Sequence, residues 1–77
     1  MIKVLFFAHL KDHVGTSELS LEVENITVKE LKQILEQKYS ITFENYIMIA
    51  VNEEYAHSDV KIQNGDTVAL IPPVSGG

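Results

Sequence analysis

The sequence predicts a single α+β domain, in which one main helix packs on one face of a mixed sheet of four to five strands. Three segments carry this prediction: an apolar run at residues 2–8, a helix signal at residues 27–38 and a second apolar run at residues 67–71. A chain of 77 residues is long enough for one compact core and no second domain.

Two strands are predicted before the helix. Ile2 to Ala8 is rich in β-branched and aromatic residues, and a turn region at residues 11–16 follows, in which Gly15 can take a positive φ. Residues 18–24 then alternate strictly, with Leu19, Leu21 and Val23 on one face and acidic residues on the other. A charged outer side is typical of an edge strand that is protected from self-pairing.

The start of the helix is the sharpest local signal. Thr27 and Glu30 have the spacing of a capping box, and Ile26 and Leu31 have the spacing of a hydrophobic staple. The predicted helix runs from about Val28 to Lys38. Its apolar stripe comprises Val28, Leu31, Ile34, Leu35 and Tyr39.

Three further strands are predicted after the helix. Tyr46 to Val51 is a continuous apolar run, and a turn at residues 52–54 leads to a short strand at Tyr55-Ala56. A turn at residues 64–66 precedes the last strand, Thr67 to Ile71. Two prolines follow and end this strand, because they have no N–H to donate to a neighbouring strand. The first and last strands can then pair as parallel neighbours at the centre of the sheet.

Composition excludes several classes of function. The net charge is −5 and arginine is absent, whereas nucleic-acid binding depends on cationic side chains. The chain has no cysteine, and its histidines (His9, His13 and His57) lack metal-ligand spacing, so we expect no metal site. No segment has the length of a membrane span or the pattern of a signal peptide, which predicts a cytoplasmic protein without membrane contact.

The last residues suggest chemistry at the carboxyl end. Two glycines without a Cβ can thread a narrow channel, and the preceding prolines favour a stiff, extended exit from the sheet. A partner could therefore take the terminal carboxylate of Gly77 into a buried site. Adenylation with ATP would activate this carboxylate, and a sulfur nucleophile would convert it to a thiocarboxylate. The tail residues are Pro72, Pro73, Val74, Ser75, Gly76 and Gly77.

Four segments carry a resemblance to a known family: residues 1–8, Ala50 to Tyr55, Gly65 to Ala69, and Ile71 to Gly77. In these the chain resembles the small, sulfur-carrying subunit of molybdopterin synthase, which has the β-grasp, or ubiquitin-like, fold. The ending Pro-Pro-Val-Ser-Gly-Gly is the most discriminating segment. Lys11 stands where members often carry arginine.

The resemblance implies a β-grasp domain at residues 1–73 and a flexible tail at residues 74–77. It implies that a ubiquitin-activator-like enzyme adenylates Gly77, so nucleotide binding is transient, ATP is consumed by that enzyme and no cofactor is held permanently. The resulting thiocarboxylate donates sulfur to precursor Z within a heterotetramer of two small and two large subunits. The chain is then no enzyme on its own, and pterin binding belongs to the large subunit.

Strand alternation predicts the surface that meets these partners. If Ile2, Val4 and Phe6 face the helix, their neighbours face away and form an apolar patch beside the exit of the tail. The predicted interface comprises Leu5, Phe7, Met48, Ala50, Ala69 and Ile71.

Other functions remain open at this point. A carrier for thiamine synthesis or tRNA thiolation, or a modifier conjugated to lysines, would use the same tail. A β-grasp interaction module would not use the tail at all.

Overall fold

The computed structural model describes residues 1–41 and 47–72, which form seven strands and two helices. In chain order the elements are β1 (Ile2–Phe6), α1 (Ala8–Val14), β2 (Glu18–Leu21), β3 (Ile26–Thr27), α2 (Val28–Tyr39), β4 (Met48–Val51), β5 (Glu54–Tyr55), β6 (Lys61–Ile62) and β7 (Thr67–Ile71).

Five strands form one mixed sheet in the order β2-β1-β7-β4-β5. β1 and β7 are parallel, with Val4 opposite Val68, and the other pairs in this sheet are antiparallel. The α+β class, the parallel pairing of the first and last strands and the edge position of β2 are therefore confirmed. β3 and β6 pair separately as a second, two-stranded sheet, which the sequence patterns did not predict.

The core combines alternate residues of the strands with the apolar stripe of α2. Ile2, Val4 and Phe6 are at most 1% exposed, as the alternation of β1 predicts. Three residues of the predicted helical stripe are buried and two are partly buried. The buried cluster comprises Ile2, Val4, Phe6, Leu10, Leu21, Val28, Leu31, Leu35, Ile41, Ile47, Ile49, Ile62, Val68 and Leu70.

The turn region predicted at residues 11–16 is wrong, because most of it belongs to helix α1. The first strand ends at Phe6, and Ala8, at φ 52°, begins the helix. Leu10 and Val14, four residues apart, contact the core from one side of this helix. Gly15 ends the helix at φ 91°, and its N–H donates to the carbonyl of Lys11, so its predicted positive φ is confirmed. Neither helix of the described residues is long and apolar enough to cross a membrane.

Several predicted bounds shift by a few residues. β2 is shorter than residues 18–24, because the chain turns at Asn25, which has a φ of 57°. α2 extends one residue beyond the prediction, to Tyr39, and β5 begins one residue earlier, at Glu54. β4 begins at Met48, and the predicted strand start at Tyr46 lies outside the described residues.

Both predicted turns are confirmed, that at residues 64–66 as predicted and that at residues 52–54 as a shorter turn, because Glu54 belongs to β5. Asn52 and Glu53 have φ values of 52° and 70°, which join β4 and β5 by a tight two-residue hairpin. Gly65 has a φ of 91°, which a residue with a Cβ adopts only with strain. On its other side β4 pairs with β7, from Met48 opposite Ile71 to Val51 opposite Val68.

The capping box of α2 is confirmed. The backbone N–H of Glu30 donates to the hydroxyl of Thr27 at 3.1 Å, and the N–H of Thr27 donates to the carboxylate of Glu30 at 2.9 Å. Two N–H groups that would lack partners within the helix are thus satisfied.

Thr27→Ala is expected to destabilise the domain by about 1 kcal/mol, because one of these N–H groups loses its acceptor. For a domain of this size the melting temperature should fall by about 4–8 °C, measurable by circular dichroism. Thr27→Ser keeps the hydroxyl oxygen and should remain close to wild type. Equal melting temperatures for the alanine variant and the wild type would contradict a stabilising cap.

Candidate functional site

A row of side chains crosses four strands on the face of the sheet that points away from the core. Leu5 of β1 lies opposite Ala69 of β7, and Ala69 lies opposite Ala50 of β4. Ala50 in turn lies opposite Tyr55 of β5. Because side chains alternate along a strand, these residues share one face while their neighbours enter the core.

A second row lies beside the first, toward the end of β7. Met48 is opposite Ile71, and Phe7 directly follows β1. Together the two rows make a surface that we call the outer face, which comprises Leu5, Phe7, Met48, Ala50, Tyr55, Ala69 and Ile71. Most of this surface lines a depression of about 360 Å³, whose rim is polar at Asn52, Glu53 and Thr67.

The side chains of the outer face differ in exposure. Phe7 and Met48 are each 45% exposed, and Leu5, Ala69 and Ile71 are partly buried. Ala50, which we predicted in an exposed patch, is only 5% exposed, because its small side chain lies on an inner strand of the sheet, between Ala69 of β7 and the larger Tyr55 of β5. It can form the floor of the depression but offers little area to a partner.

Tyr55 belongs to the outer face, although the sequence analysis did not include it. It is 72% exposed, more than any other large apolar side chain of the described residues. The predicted three-residue turn at residues 52–54 would place Tyr55 opposite Val51, whereas the observed turn has two residues and places Tyr55 opposite Ala50. An exposed aromatic side chain beside an apolar depression is typical of a protein interface.

Hydrogen bonds fix one end of this depression. The carboxylate of Asp66 accepts from the side-chain amide of Asn52 at 3.0 Å and from the backbone N–H of Gln63 at 2.9 Å. The side-chain carbonyl of Asn52 accepts from the N–H of Thr67 at 3.0 Å. These hydrogen bonds hold the pKa of Asp66 below its ordinary value, and the one from Gln63 has a larger effect than the one from Asn52.

Asp66→Asn is expected to lower the melting temperature at neutral pH and to have little effect in acid. A carboxyl whose pKa is lowered on folding stabilises the protein above its unfolded pKa of about 4, and this contribution disappears as the pH falls through the folded value. Melting curves from about pH 7 to about pH 2 should therefore converge for wild type and variant.

Asp59→Asn is the matched control, since Asp59 is exposed and its side chain makes no hydrogen bond within the described residues. It should leave the melting temperature nearly unchanged at neutral pH. A difference between Asp66→Asn and wild type that does not vary with pH would contradict stabilisation by the ionised carboxylate.

The chain leaves the sheet beside the second row of the outer face. Ile71 ends β7, and Pro72, which follows it, is buried. Of the predicted tail, Pro73, Val74, Ser75, Gly76 and Gly77 lie outside the described residues, as does the predicted domain boundary after residue 73. The outer face is therefore adjacent to the start of the predicted tail.

The histidines are spread over the surface. His13 Nε2 lies 2.9 Å from the carbonyl oxygen of Tyr39, at the end of α2, so this side chain joins the two helices. Within residues 1–41 and 47–72, no group of three or more His, Cys, Asp or Glu side chains could hold a metal ion.

The sequence profile of the ThiS family matches residues 4–77, which is nearly the whole chain. The chain belongs to the ThiS family. It is 36% identical over 81 residues to the molybdopterin synthase sulfur carrier subunit of Escherichia coli, and the match covers 100% of both chains.

Solved structures of two relatives support the β-grasp fold. SAMP1 of Haloferax volcanii superposes with a TM-score of 0.85 at 25% identity, covering 99% of this chain and 98% of that one. One chain of the complex of subunits 1 and 2 of molybdopterin-converting factor from Helicobacter pylori superposes with a TM-score of 0.70 at 26% identity. The match covers 99% of this chain and 97% of that one. The predicted fold and the predicted resemblance are thus both confirmed.

Proposed function

We propose that this chain carries sulfur for molybdopterin synthesis on the C-terminal carboxylate of Gly77. The observation that carries the proposal is its full-length similarity to proteins named molybdopterin synthase sulfur carrier subunit, in a family match that includes Gly77. The predicted Gly-Gly ending supplies the reacting group and a neighbour, Gly76, without a side chain.

The chemistry has two stages. In the first, the Gly77 carboxylate attacks the α-phosphorus of ATP on an activating enzyme, which releases pyrophosphate and forms an acyl-adenylate. Hydrosulfide then attacks the acyl carbon and displaces AMP, leaving a thiocarboxylate. In the second, the thiocarboxylate sulfur attacks a carbon of precursor Z, and the bond from that carbon to an oxygen breaks as the oxygen leaves. Water then hydrolyses the thioester, which restores the Gly77 carboxylate and leaves the sulfur on the pterin.

The outer face is the surface that we propose for the protein partners. Two of its exposed side chains, Phe7 and Met48, lie next to Ile71, where the tail leaves the sheet, and the third, Tyr55, lies on the neighbouring edge strand beyond β4. A protein bound there is close to the start of the tail. Support comes from the structural similarity to one chain of a complex of subunits 1 and 2 of molybdopterin-converting factor. The activating enzyme and the large synthase subunit would use this face in turn, the latter in a heterotetramer with two copies of each subunit. Catalytic groups for the pterin would come from the large subunit.

Mass spectrometry of the chain isolated from cells tests the first stage. The expected result is the exchange of one oxygen for sulfur, localised to Gly77 by fragmentation. The purified thiocarboxylate should then convert precursor Z to molybdopterin when the large subunit is added. A thiocarboxylate that is inactive in this assay would indicate a carrier for thiamine synthesis or tRNA thiolation, and absence of the exchange would indicate an interaction module.

Conjugation to lysine is a second candidate function. It is favoured by the similarity to SAMP1, a protein named as a small archaeal modifier. In this case a lysine amine would attack the acyl-adenylate and displace AMP, and an isopeptide bond to Gly77 would form. Proteolysis of cell extracts should then yield lysine peptides that carry the C-terminal residues of this chain.

A further inference from the structure

We propose that the interface for the large synthase subunit continues from the outer face around the β5 edge, where Lys32 and His57 receive an acidic side chain of that subunit. This inference rests on the proposed function, because it presupposes that the large subunit covers the outer face. It adds a second contact region with its own chemistry.

The second region is a depression of about 270 Å³ between α2 and the segment that follows β5. We call it the β5 shelf. Its lining comprises Lys32, Ile47, Met48, Ile49, Tyr55, Ala56, His57 and Ser58. Its apolar floor and its polar groups, an ammonium, an imidazole and two hydroxyls, suit a side chain that ends in a carboxylate.

The β5 shelf is continuous with the outer face. Tyr55 lines both depressions, so its exposed ring forms the boundary between them. Met48 lines the shelf and pairs in register with Ile71, which lines the other depression. A partner that buries the ring of Tyr55 from the outer face therefore reaches the shelf.

The size of stable interfaces favours this extension. A specific complex buries about 800 Å² on each partner, from about 20–30 residues a side. The outer face and the tail together have 13 residues, and one of them, Ala50, is buried. Tyr55, the most exposed large apolar side chain of the described residues, lies at the β5 edge of the sheet, so the apolar surface continues on that side.

Charge favours an acidic group as the occupant of the shelf. The whole chain has a net charge of −5, so a site that presents a lysine and a histidine differs from the rest of its surface. Among residues 1–41 and 47–72 the only ion pair joins Lys3 to Glu18, at 3.8 Å. Lys32 therefore has no acidic partner in these parts of the chain. An acidic side chain of the large subunit would find both attraction and hydrogen-bond donors there.

The test compares two charge reversals on α2, Lys32→Glu at the shelf and Lys38→Glu in the last turn of the helix. Binding of each variant to the purified large subunit is measured by calorimetry at low and moderate salt. We expect Lys32→Glu to raise the Kd about tenfold or more, with a smaller effect at higher salt, and Lys38→Glu to change it less than about twofold. Melting curves of both variants verify that they are folded.

Equal affinity of folded Lys32→Glu and wild type for the large subunit would overturn the inference. Weakened binding to the activating enzyme alone would overturn it as well, because the acidic group would then belong to the other partner. Failure of the proposed function is seen separately, in a wild-type chain that acquires no sulfur or transfers none to precursor Z.

Discussion

Addition of one tryptophan after Gly77 is expected to abolish formation of the thiocarboxylate and to lower molybdopterin synthesis by about 100-fold or more. The added residue moves the terminal carboxylate by about 3.5 Å and places an indole where only backbone fits. Because the activating enzyme must align this carboxylate with the α-phosphorus of ATP, a displacement of this size removes the reacting geometry. Intact-mass analysis after incubation with ATP, the activating enzyme and a sulfur donor measures the first effect, and the precursor Z assay measures the second.

Ser75→Ala provides a matched control within the same tail. We interpret Ser75 as a spacer, so its hydroxyl should be dispensable and the variant should accept sulfur at nearly the wild-type rate. Gly76→Val should be impaired although its carboxylate is not displaced, since a β-branched side chain then enters the channel that we expect around the tail. Normal sulfur transfer by the tryptophan variant, with its mass unchanged after the reaction, would refute tail chemistry at Gly77.

The elements that were predicted correctly are those that local pattern determines. α2 has a capping box and a stripe of apolar residues at helical spacing, so its start could be placed at Val28 without knowledge of the fold. β1 and β7 alternate between core and outer face, and this alternation assigned Leu5 and Ala69 to the same side. The β-grasp layout followed once these elements were in order.

The elements that were missed depend on contacts distant in sequence. α1 has no side-chain cap at Phe7 and is held by two apolar side chains that the rest of the core must cover. β3 and β6 have two residues each, so only their mutual pairing defines them as strands. Packing around Ala50 decides its burial, which alternation cannot reveal. The function of the tail remains a prediction, since residues 73–77 lie outside the described part of the chain.

Truncation of the exposed aromatic side chains of the outer face is expected to weaken partner binding strongly. Phe7→Ala and Tyr55→Ala should each raise the Kd for the large subunit about 30-fold, the effect of losing about 2 kcal/mol at an interface hot spot. Ile71→Glu should have a similar or larger effect, because it places a charge without a partner in an apolar contact. Calorimetry with the large subunit, and separately with the activating enzyme, provides the measurement.

Val60→Ala is the control that distinguishes docking from a general loss of surface apolar area. Val60 is 36% exposed and lies before β6, so it is an exposed apolar residue that does not belong to the outer face. Since Phe7 and Tyr55 are 45% and 72% exposed, their truncation removes little from the core, and all three variants should melt close to wild type. If the affinities of Phe7→Ala and Ile71→Glu for both partners equal those of the wild type and of Val60→Ala, the partners do not bind at the outer face. We expect instead that only the outer-face variants lose affinity for the partners. The apolar side chains of this face would then hold the protein that takes the terminal carboxylate into its catalytic site.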